Sequence, residues 1–141
     1  MEKAMGTVHA EITIKNAADV VNVKRGLIRE EEVRSIVVTA VVDTGAASLV
    51  ISEKQRQILG LGIVEERKAR VADGRWVFCQ LTEAVEVSWK DRQASCNAMV
   101  IPSAEAVLLG AIPLEWMDLI VNPGKQELVG AHGDTPEYLA L

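Results

Sequence analysis

The chain predicts a mostly β fold, closed or sandwich-like, on three observations. Its apolar residues gather in short runs dominated by valine, isoleucine and alanine, such as IVVTAVV from Ile36 to Val42. Turn-forming residues separate those runs at regular intervals: Asn16, Gly26, Asp73-Gly74, Lys90-Asp91 and Asn122-Pro123-Gly124. Helical patterning, by contrast, is sparse. At 141 residues, 49% hydrophobic and 25% charged, the chain has the size and balance of one globular domain with a real core.

Taken in order, Thr7 to Ile14 alternates as a first strand should. Asn16 to Asp19 reads as a turn, and Val20 to Ile28 as a second β-rich run broken at Gly26. The charged stretch Arg29 to Val33 is a solvated connection, either a hairpin turn or a short helical turn. Arg34 to Val42 is the strand that delivers Asp43, and Ser48 to Ile51 leaves again as a strand. Ser52 followed by Gln55 is a capping box, which opens a short helix ending at Leu59-Gly60. Val64 to Val71 and Arg75 to Thr82 resume strand character around Asp73-Gly74, a hairpin signal favouring a type I′ turn. Glu83 to Trp89 alternates strictly, Lys90-Asp91-Arg92 turns the chain, and Ala94 to Ile101 is a strand closed by Pro102. Leu114 to Met117 has room for one helical turn, with Pro113 at its first position. Leu119 to Val121 and Gln126 to Val129 form a last hairpin, followed by a turn-rich tail that becomes apolar at its end. No repeat, low-complexity segment or internal linker interrupts the chain, so a single domain over residues 1–141 is expected, with its core at about 7–129 and a tail over 130–141.

Charge and composition exclude several classes. A net charge of −5 and a pI of about 5.1 argue against a nucleic-acid partner held through phosphates. No apolar run approaches the roughly 20 residues needed to cross a bilayer, and MEKAMGTVHA lacks the apolar centre of a signal peptide. The expectation is therefore a cytoplasmic protein with no membrane partner. Cys79 and Cys96 form no disulfide framework and no CxxC spacing. They read as small buried hydrophobes in neighbouring strands, where they could face one another. His9 and His132 lie far apart without ligand-like spacing, so neither metal nor other cofactor is expected.

Chemistry concentrates in one place. The buried strand Ile36 to Val42 runs straight into Asp43-Thr44-Gly45-Ala46-Ala47, and an apolar strand follows. A carboxylate at the end of a buried strand is costly unless hydrogen bonds compensate it. Gly45 allows the tight turn that lets backbone N–H groups converge on it. No other aspartate has this setting: Asp73, Asp91 and Asp118 lack the buried strand, and Asp134-Thr135 is followed by Pro136.

Asp43-Thr44-Gly45 at a strand end, an Asp73-Gly74 hairpin about 30 residues on, and Val107-Leu108-Leu109-Gly110 before a short helix come in the order that resembles the retroviral-type (retropepsin-like) aspartic proteases. The resemblance covers about Thr7 to Val129 and is nearest the bacterial branch with a single such motif per chain. It implies a closed acid-protease barrel with a flap hairpin and one or two short helices. It implies an aspartic endopeptidase, metal-independent and homodimeric, acting on peptide or protein substrates. Asp43 would be the catalytic carboxylate, Thr44 would bond across the dimer axis, and Gly45 and Ala46 would shape the turn and face the substrate. Asp73, Gly74 and Arg75 would form the flap, with Trp76 either its lid or a core or interface aromatic. Leu108, Leu109 and Gly110 would pack beneath the catalytic turn. The flap has one glycine where viral enzymes have several, and the segment after Val129 does not read as a further interface strand. Peptide hydrolysis by this route needs two carboxyls that share a proton, so one motif per chain implies two copies of Asp43 across a two-fold axis. The alternative is a catalytically weak module that keeps the fold for dimerisation or peptide binding.

Overall fold

The computed structural model describes residues 7–137. The first strand, β1 (Val8–Asn16), buries Val8, Ala10, Ile12, Ile14 and Asn16 and turns the residues between them outward. That period of two is what a strand with one face on a core requires. It runs antiparallel to β2 (Ser35–Val42), from Val8 against Val42 to Lys15 against Ser35.

Between these strands the structure corrects the sequence reading. Val20 to Ile28 does not form a strand: Ala17–Lys24 is a helix, α1, ending before the left-handed Gly26. Of the residues read as a turn, Asn16 is its N-cap and Ala17 to Asp19 are its first turn. Asn16 Oδ1 accepts the Asp19 N–H at 3.2 Å, and Asn16 Nδ2 donates to the Leu59 carbonyl at 2.9 Å. The buried Asp19 carboxylate receives Arg34 Nε at 2.9 Å, Nη2 at 3.0 Å and the Arg34 backbone N–H at 3.0 Å. This bidentate fork holds the Asp19 carboxyl below its usual range. Cap and fork together override the β preference of Val20, Val21 and Val23. The charged stretch closes as a single 3-10 turn over Glu30–Glu32, one of the two forms expected of it.

After β3 (Leu49–Ile51), helix α2 (Glu53–Leu59) has the predicted capping box: Ser52 Oγ accepts the Gln55 N–H at 3.2 Å, and Gln55 Oε1 accepts the Ser52 N–H at 2.9 Å. Gly60 closes the helix in the left-handed conformation, and Leu59 is fully buried. Strands β4 (Ile63–Arg70) and β5 (Trp76–Trp89) form the predicted hairpin, but not through a type I′ turn. That turn needs two left-handed residues, whereas only Gly74 is left-handed, at φ +87°. Asp73 Oδ1 accepts the Arg75 N–H at 3.0 Å, which keeps Asp73 on the ordinary side, and three residues bridge Val71 and Arg75. The two runs read on either side of Thr82 are one strand, with a bulge between Leu81 and Ala84.

Strand β6 (Arg92–Val100) pairs antiparallel to β5 and parallel to β3, and the two-residue β7 (Leu108–Leu109) precedes helix α3 (Ala111–Trp116). Helix α3 starts three residues before the turn expected at Leu114, so Pro113 is its third residue, still inside the first turn where a missing N–H costs nothing. The last hairpin is β8 (Leu119–Asn122) with β9 (Glu127–Gly130), a separate two-stranded sheet. The other seven strands follow the order β1-β2-β7-β3-β6-β5-β4, with β1 also pairing β5 from Thr13 against Ser88 to Asn16 against Val85. The fold is mostly β. Its core gathers Ile12, Ile14, Leu49, Ile51, Leu59, Leu61, Val85, Val87 and Leu109, all essentially inaccessible. Each such side chain contributes about 1.5–3 kcal/mol on burial.

The cysteines do not face one another. Cys79 lies opposite Arg67 and Cys96 opposite Val85, and both are free thiols. Burial pushes the Cys96 thiol up to about 11, against a hydrogen bond from Ser48, so it stays neutral. The tail is turn-rich as expected over 131–137, and its apolar end, residues 138–141, lies outside the described residues, as do Met1 to Gly6.

Candidate active site

Strand β2 ends at the buried Val42, and the half-buried Asp43 follows at the edge of the core. Its N–H donates to the Leu109 carbonyl at 3.0 Å, and its carbonyl accepts the Ala46 N–H at 3.0 Å. The carboxylate folds back on its own turn, with Oδ1 accepting the Gly45 N–H at 2.9 Å. A Cβ at position 45 would stand 3.2 Å from that oxygen, so the turn closes this tightly because residue 45 has no side chain. Oδ2 has no hydrogen-bond donor among the described residues. Thr44 and Gly45 are exposed at the tip of the turn, while Ala46 is half-buried.

The turn is gripped from behind. Strand β7 is wedged between the two strands that flank the turn, parallel to β2 (Val41 with Leu108, Val42 with Leu109) and antiparallel to β3 (Leu49 with Leu109, Val50 with Leu108). Leu109 is completely buried there. Gly110 then passes so close that a Cβ would lie 2.3 Å from the Ser48 carbonyl and 2.6 Å from that of Ala46. Only glycine fits. The first N–H groups of α3, which no helix can satisfy internally, donate to the turn: Ala111 to the Ala46 carbonyl at 2.8 Å and Ile112 to that of Ala47 at 2.9 Å. Leu108, Leu109 and Gly110 thus pack against the turn from Asp43 to Ala46.

The hairpin residues stand apart. Among the described residues no hydrogen bond or ion pair joins 71–76 to the turn at 43–47 within one chain. The Arg75 backbone N–H and guanidinium hold the Asp73 carboxyl below its usual range, the guanidinium at 2.6 Å, so Asp73 is spent on shaping the hairpin tip. Trp76 is 62% exposed under the Arg70 guanidinium, which excludes a core aromatic and leaves lid or interface. Its neighbour Phe78, 70% exposed, escaped the sequence reading because one apolar residue in an alternating strand carries no sign of which face is covered.

Two polar networks also escaped it. Ser48 Oγ donates to the Asn97 carbonyl at 2.9 Å, Asn97 Nδ2 to the Thr82 carbonyl at 2.7 Å, and Thr82 Oγ1 accepts the Ala98 N–H at 3.1 Å, tying the strand after the turn to the bulge of β5. At the opposite end, buried Arg92 donates through Nη1 to the carbonyls of Met117 (3.1 Å) and Asp118 (2.6 Å) and through Nη2 to that of Gly133. Asp118, buried at φ +55°, accepts His132 Nδ1 at 2.9 Å and the Glu137 N–H at 3.1 Å. The His132 hydrogen bond is the largest cause of a lowered Asp118 carboxyl and, reciprocally, of a raised His132. These partners, Ala98 and Thr82 included, lie 14 to 49 residues apart, so no local pattern could reveal them. Among the described residues, no three or more His, Cys, Asp or Glu side chains gather as metal ligands would.

No curated protein matches the chain. A family model does: the aspartyl protease model covers residues 30–111, from the 3-10 turn through β2, the Asp43 turn, the hairpin and β7 to the first residue of α3. That span is more than half of the chain and contains the whole wedge around Asp43, so the protein belongs to the aspartyl protease family.

Proposed function

We propose that the protein is a retropepsin-like aspartic endopeptidase that acts as a homodimer, with one Asp43 from each subunit. In this reading it belongs to the bacterial single-motif branch, forms one domain over 1–141 and works in the cytoplasm without a cofactor. The β1–β5 pairing is then the seam that closes the strands into an acid-protease barrel. What carries the reading is the Asp43 carboxylate: one oxygen is engaged by the Gly45 N–H at 2.9 Å, and the other has no donor among the described residues, on a turn wedged by β7 and α3.

Across a two-fold axis, two such carboxyls share one proton because like charges that close cannot both ionise. The ionised one takes a proton from water as its oxygen attacks the peptide carbonyl carbon. The protonated one gives its proton to the carbonyl oxygen. The tetrahedral intermediate then collapses: the C–N bond breaks, the amine leaves with a proton, and the shared-proton pair is restored. Thr44, exposed at the tip, is assigned to the dimer axis, and Gly45 and Ala46 to the substrate floor. Asp73, Gly74, Arg75 and Trp76 are assigned to the flap over an extended peptide. Leu108, Leu109 and Gly110 keep the floor rigid. Exposed Ile112, whose N–H bonds to the turn at Ala47, gives a second subunit an apolar surface beside the site.

Asp43→Asn tests this. The substitution keeps shape and hydrogen bonding but cannot exchange the proton, so cleavage of a diverse peptide library should vanish while fold and dimer persist. Activity within about tenfold of wild type, only about 1.4 kcal/mol in barrier, would remove Asp43 from the mechanism.

A further inference from the structure

Helix α3 is six residues long and is held at both ends. Its first two N–H groups donate to the Asp43 turn, Ala111 to the Ala46 carbonyl at 2.8 Å and Ile112 to that of Ala47 at 2.9 Å. Its other end closes through the Met117 N–H on the Pro113 carbonyl and the Asp118 N–H on that of Glu115, both at 3.0 Å. Within the helix only Pro113 and Leu114 are buried, while Ile112, Glu115 and Trp116 are exposed. Its placement therefore depends on what grips the two ends.

At the far end Asp118 has every polar group engaged. Its carbonyl accepts Arg92 Nη1 at 2.6 Å and the Ala131 N–H at 2.8 Å, and its carboxylate accepts His132 Nδ1 at 2.9 Å and the Glu137 N–H at 3.1 Å. It stands at φ +55°, which a residue with a Cβ keeps where its surroundings impose it. The charges facing His132 are Asp118, Glu137 at 4.0 Å, and Arg92, whose Nη1 lies 3.9 Å from Asp118 Oδ2. With His132 protonated this corner holds two cations and two anions; with His132 neutral it holds one surplus negative charge beside the buried Asp118. Asp91, Glu127 and Asp134, which line the adjoining cavity with Lys90, add to that surplus. Asp118 raises His132 above its ordinary 6.5, so the proton leaves above that value.

We propose that His132 is a positioning residue for Asp43: its protonated ring fixes the Asp118 corner, and α3 carries that restraint to the carbonyls of Ala46 and Ala47. The connection is short and continuous. Asp118 follows directly on the helix, and the helix donates directly to the turn. Gly110, just ahead of the helix, lies against the Ala46 and Ser48 carbonyls without room for a methyl group, so a shift of α3 is not absorbed there and moves the turn. When His132 loses its proton the corner loosens, the Ala111 and Ile112 hydrogen bonds open more often, and Asp43 loses its fixed placement. One proton at a surface histidine thus biases two arrangements of the site.

The test is amide hydrogen exchange on the full chain, read by NMR at about pH 6 and about pH 8.5, on either side of a histidine titration, with the intrinsic exchange rate divided out. In wild type the protection of Ala111 and Ile112 should fall about tenfold or more between the two conditions. His132→Arg, charged at both, should keep the high protection, and His132→Gln, neutral at both, should show the low one. His132 is exposed, so both substitutions are compatible with the fold, which circular dichroism verifies. Equal protection at both pH values in wild type overturns the proposal. So does a loss confined to Glu137, which means that the tail opens without reaching the turn, or an equal loss in all three proteins, which means general loosening. Peptide cleavage is measured on the same samples, and this part alone rests on the reading of Asp43 as catalytic. Between the two pH values kcat should fall more in wild type than in His132→Arg, with KM nearly unchanged, because the turn moves and the seat of the peptide does not. An equal fall in kcat for the two proteins overturns the positioning role. Absence of cleavage by all three proteins, with the exchange response intact, refutes the reading of Asp43 and leaves the coupling through α3 established.

Discussion

At the scale of single residues, the site depends on two positions where a side chain is refused. Gly45 leaves room for Asp43 Oδ1, and Gly110 leaves room for the backbone of the turn itself. The two differ in what must yield. At 45 the neighbour is the end of a carboxylate, whereas at 110 it is backbone carbonyl oxygen at 2.3 and 2.6 Å. Gly110→Ala should therefore destabilise the fold by about 1–3 kcal/mol, as overpacking does, and displace the turn, lowering cleavage as well. Gly124→Ala is the matched control, because the nearest atom to its Cβ is a side-chain oxygen at 3.4 Å. Urea midpoints of the two variants check this. Equal midpoints would mean that the wedge tolerates an added methyl group.

At the scale of elements, segments are pinned by ionic side chains that act across long loops. The Asp19–Arg34 fork holds α1 against the start of β2, and the Asp118–His132–Arg92 clasp holds residues 131–137 against the corner between α3 and β8. The clasp gives stability a definite pH dependence. His132 is raised above its ordinary 6.5 by Asp118, so its contribution is complete below that value and is lost as pH rises through the raised one. Asp118 is lowered from its ordinary 3.8, so its contribution is complete above that value and fades as pH falls through the lowered one. The clasp is thus strongest in the mildly acidic window between the two. Wild type should lose stability from mildly acidic to alkaline pH, and His132→Ala should flatten that slope. Parallel urea-midpoint curves for the two proteins would show that the clasp does not hold the tail in solution.

At the scale of the whole molecule, the proposed chemistry requires two chains. Rate per milligram should fall disproportionately on dilution below the dimer dissociation constant, with sedimentation read on the same series. Mixing wild type with excess Asp43→Asn should poison activity, since each mixed dimer has one competent carboxyl. The rate should follow a bell-shaped pH profile with an acidic optimum, because the two carboxyls titrate as a pair. A fully active monomer would refute the two-chain mechanism, and a rate climbing steadily through alkaline pH would refute the shared proton.

Most of the strands, the α2 capping box, the last hairpin and the Asp43 turn were legible in the sequence because their causes are local. Alternation follows from a period of two, a capping box from two side chains three apart, and the turn from an Asp-Thr-Gly at the end of an apolar run. The aspartyl protease family was legible for the same reason, through the order of three short motifs that its model spans. What only the tertiary structure decided involves partners distant in the chain. Val20, Val21 and Val23 become helical because Asn16 caps their helix and Asp19 meets Arg34. Helix α3 begins at Ala111 because its free N–H groups find the carbonyls of Ala46 and Ala47, more than 60 residues earlier. Asp118 is buried because His132 and Arg92 compensate its charge there. A propensity is a property of neighbours in sequence and is worth a fraction of a kcal/mol per residue. A buried polar group left without its distant partner costs about 1–3 kcal/mol. Where the two compete, as along Ala17–Lys24, the distant partner sets the structure.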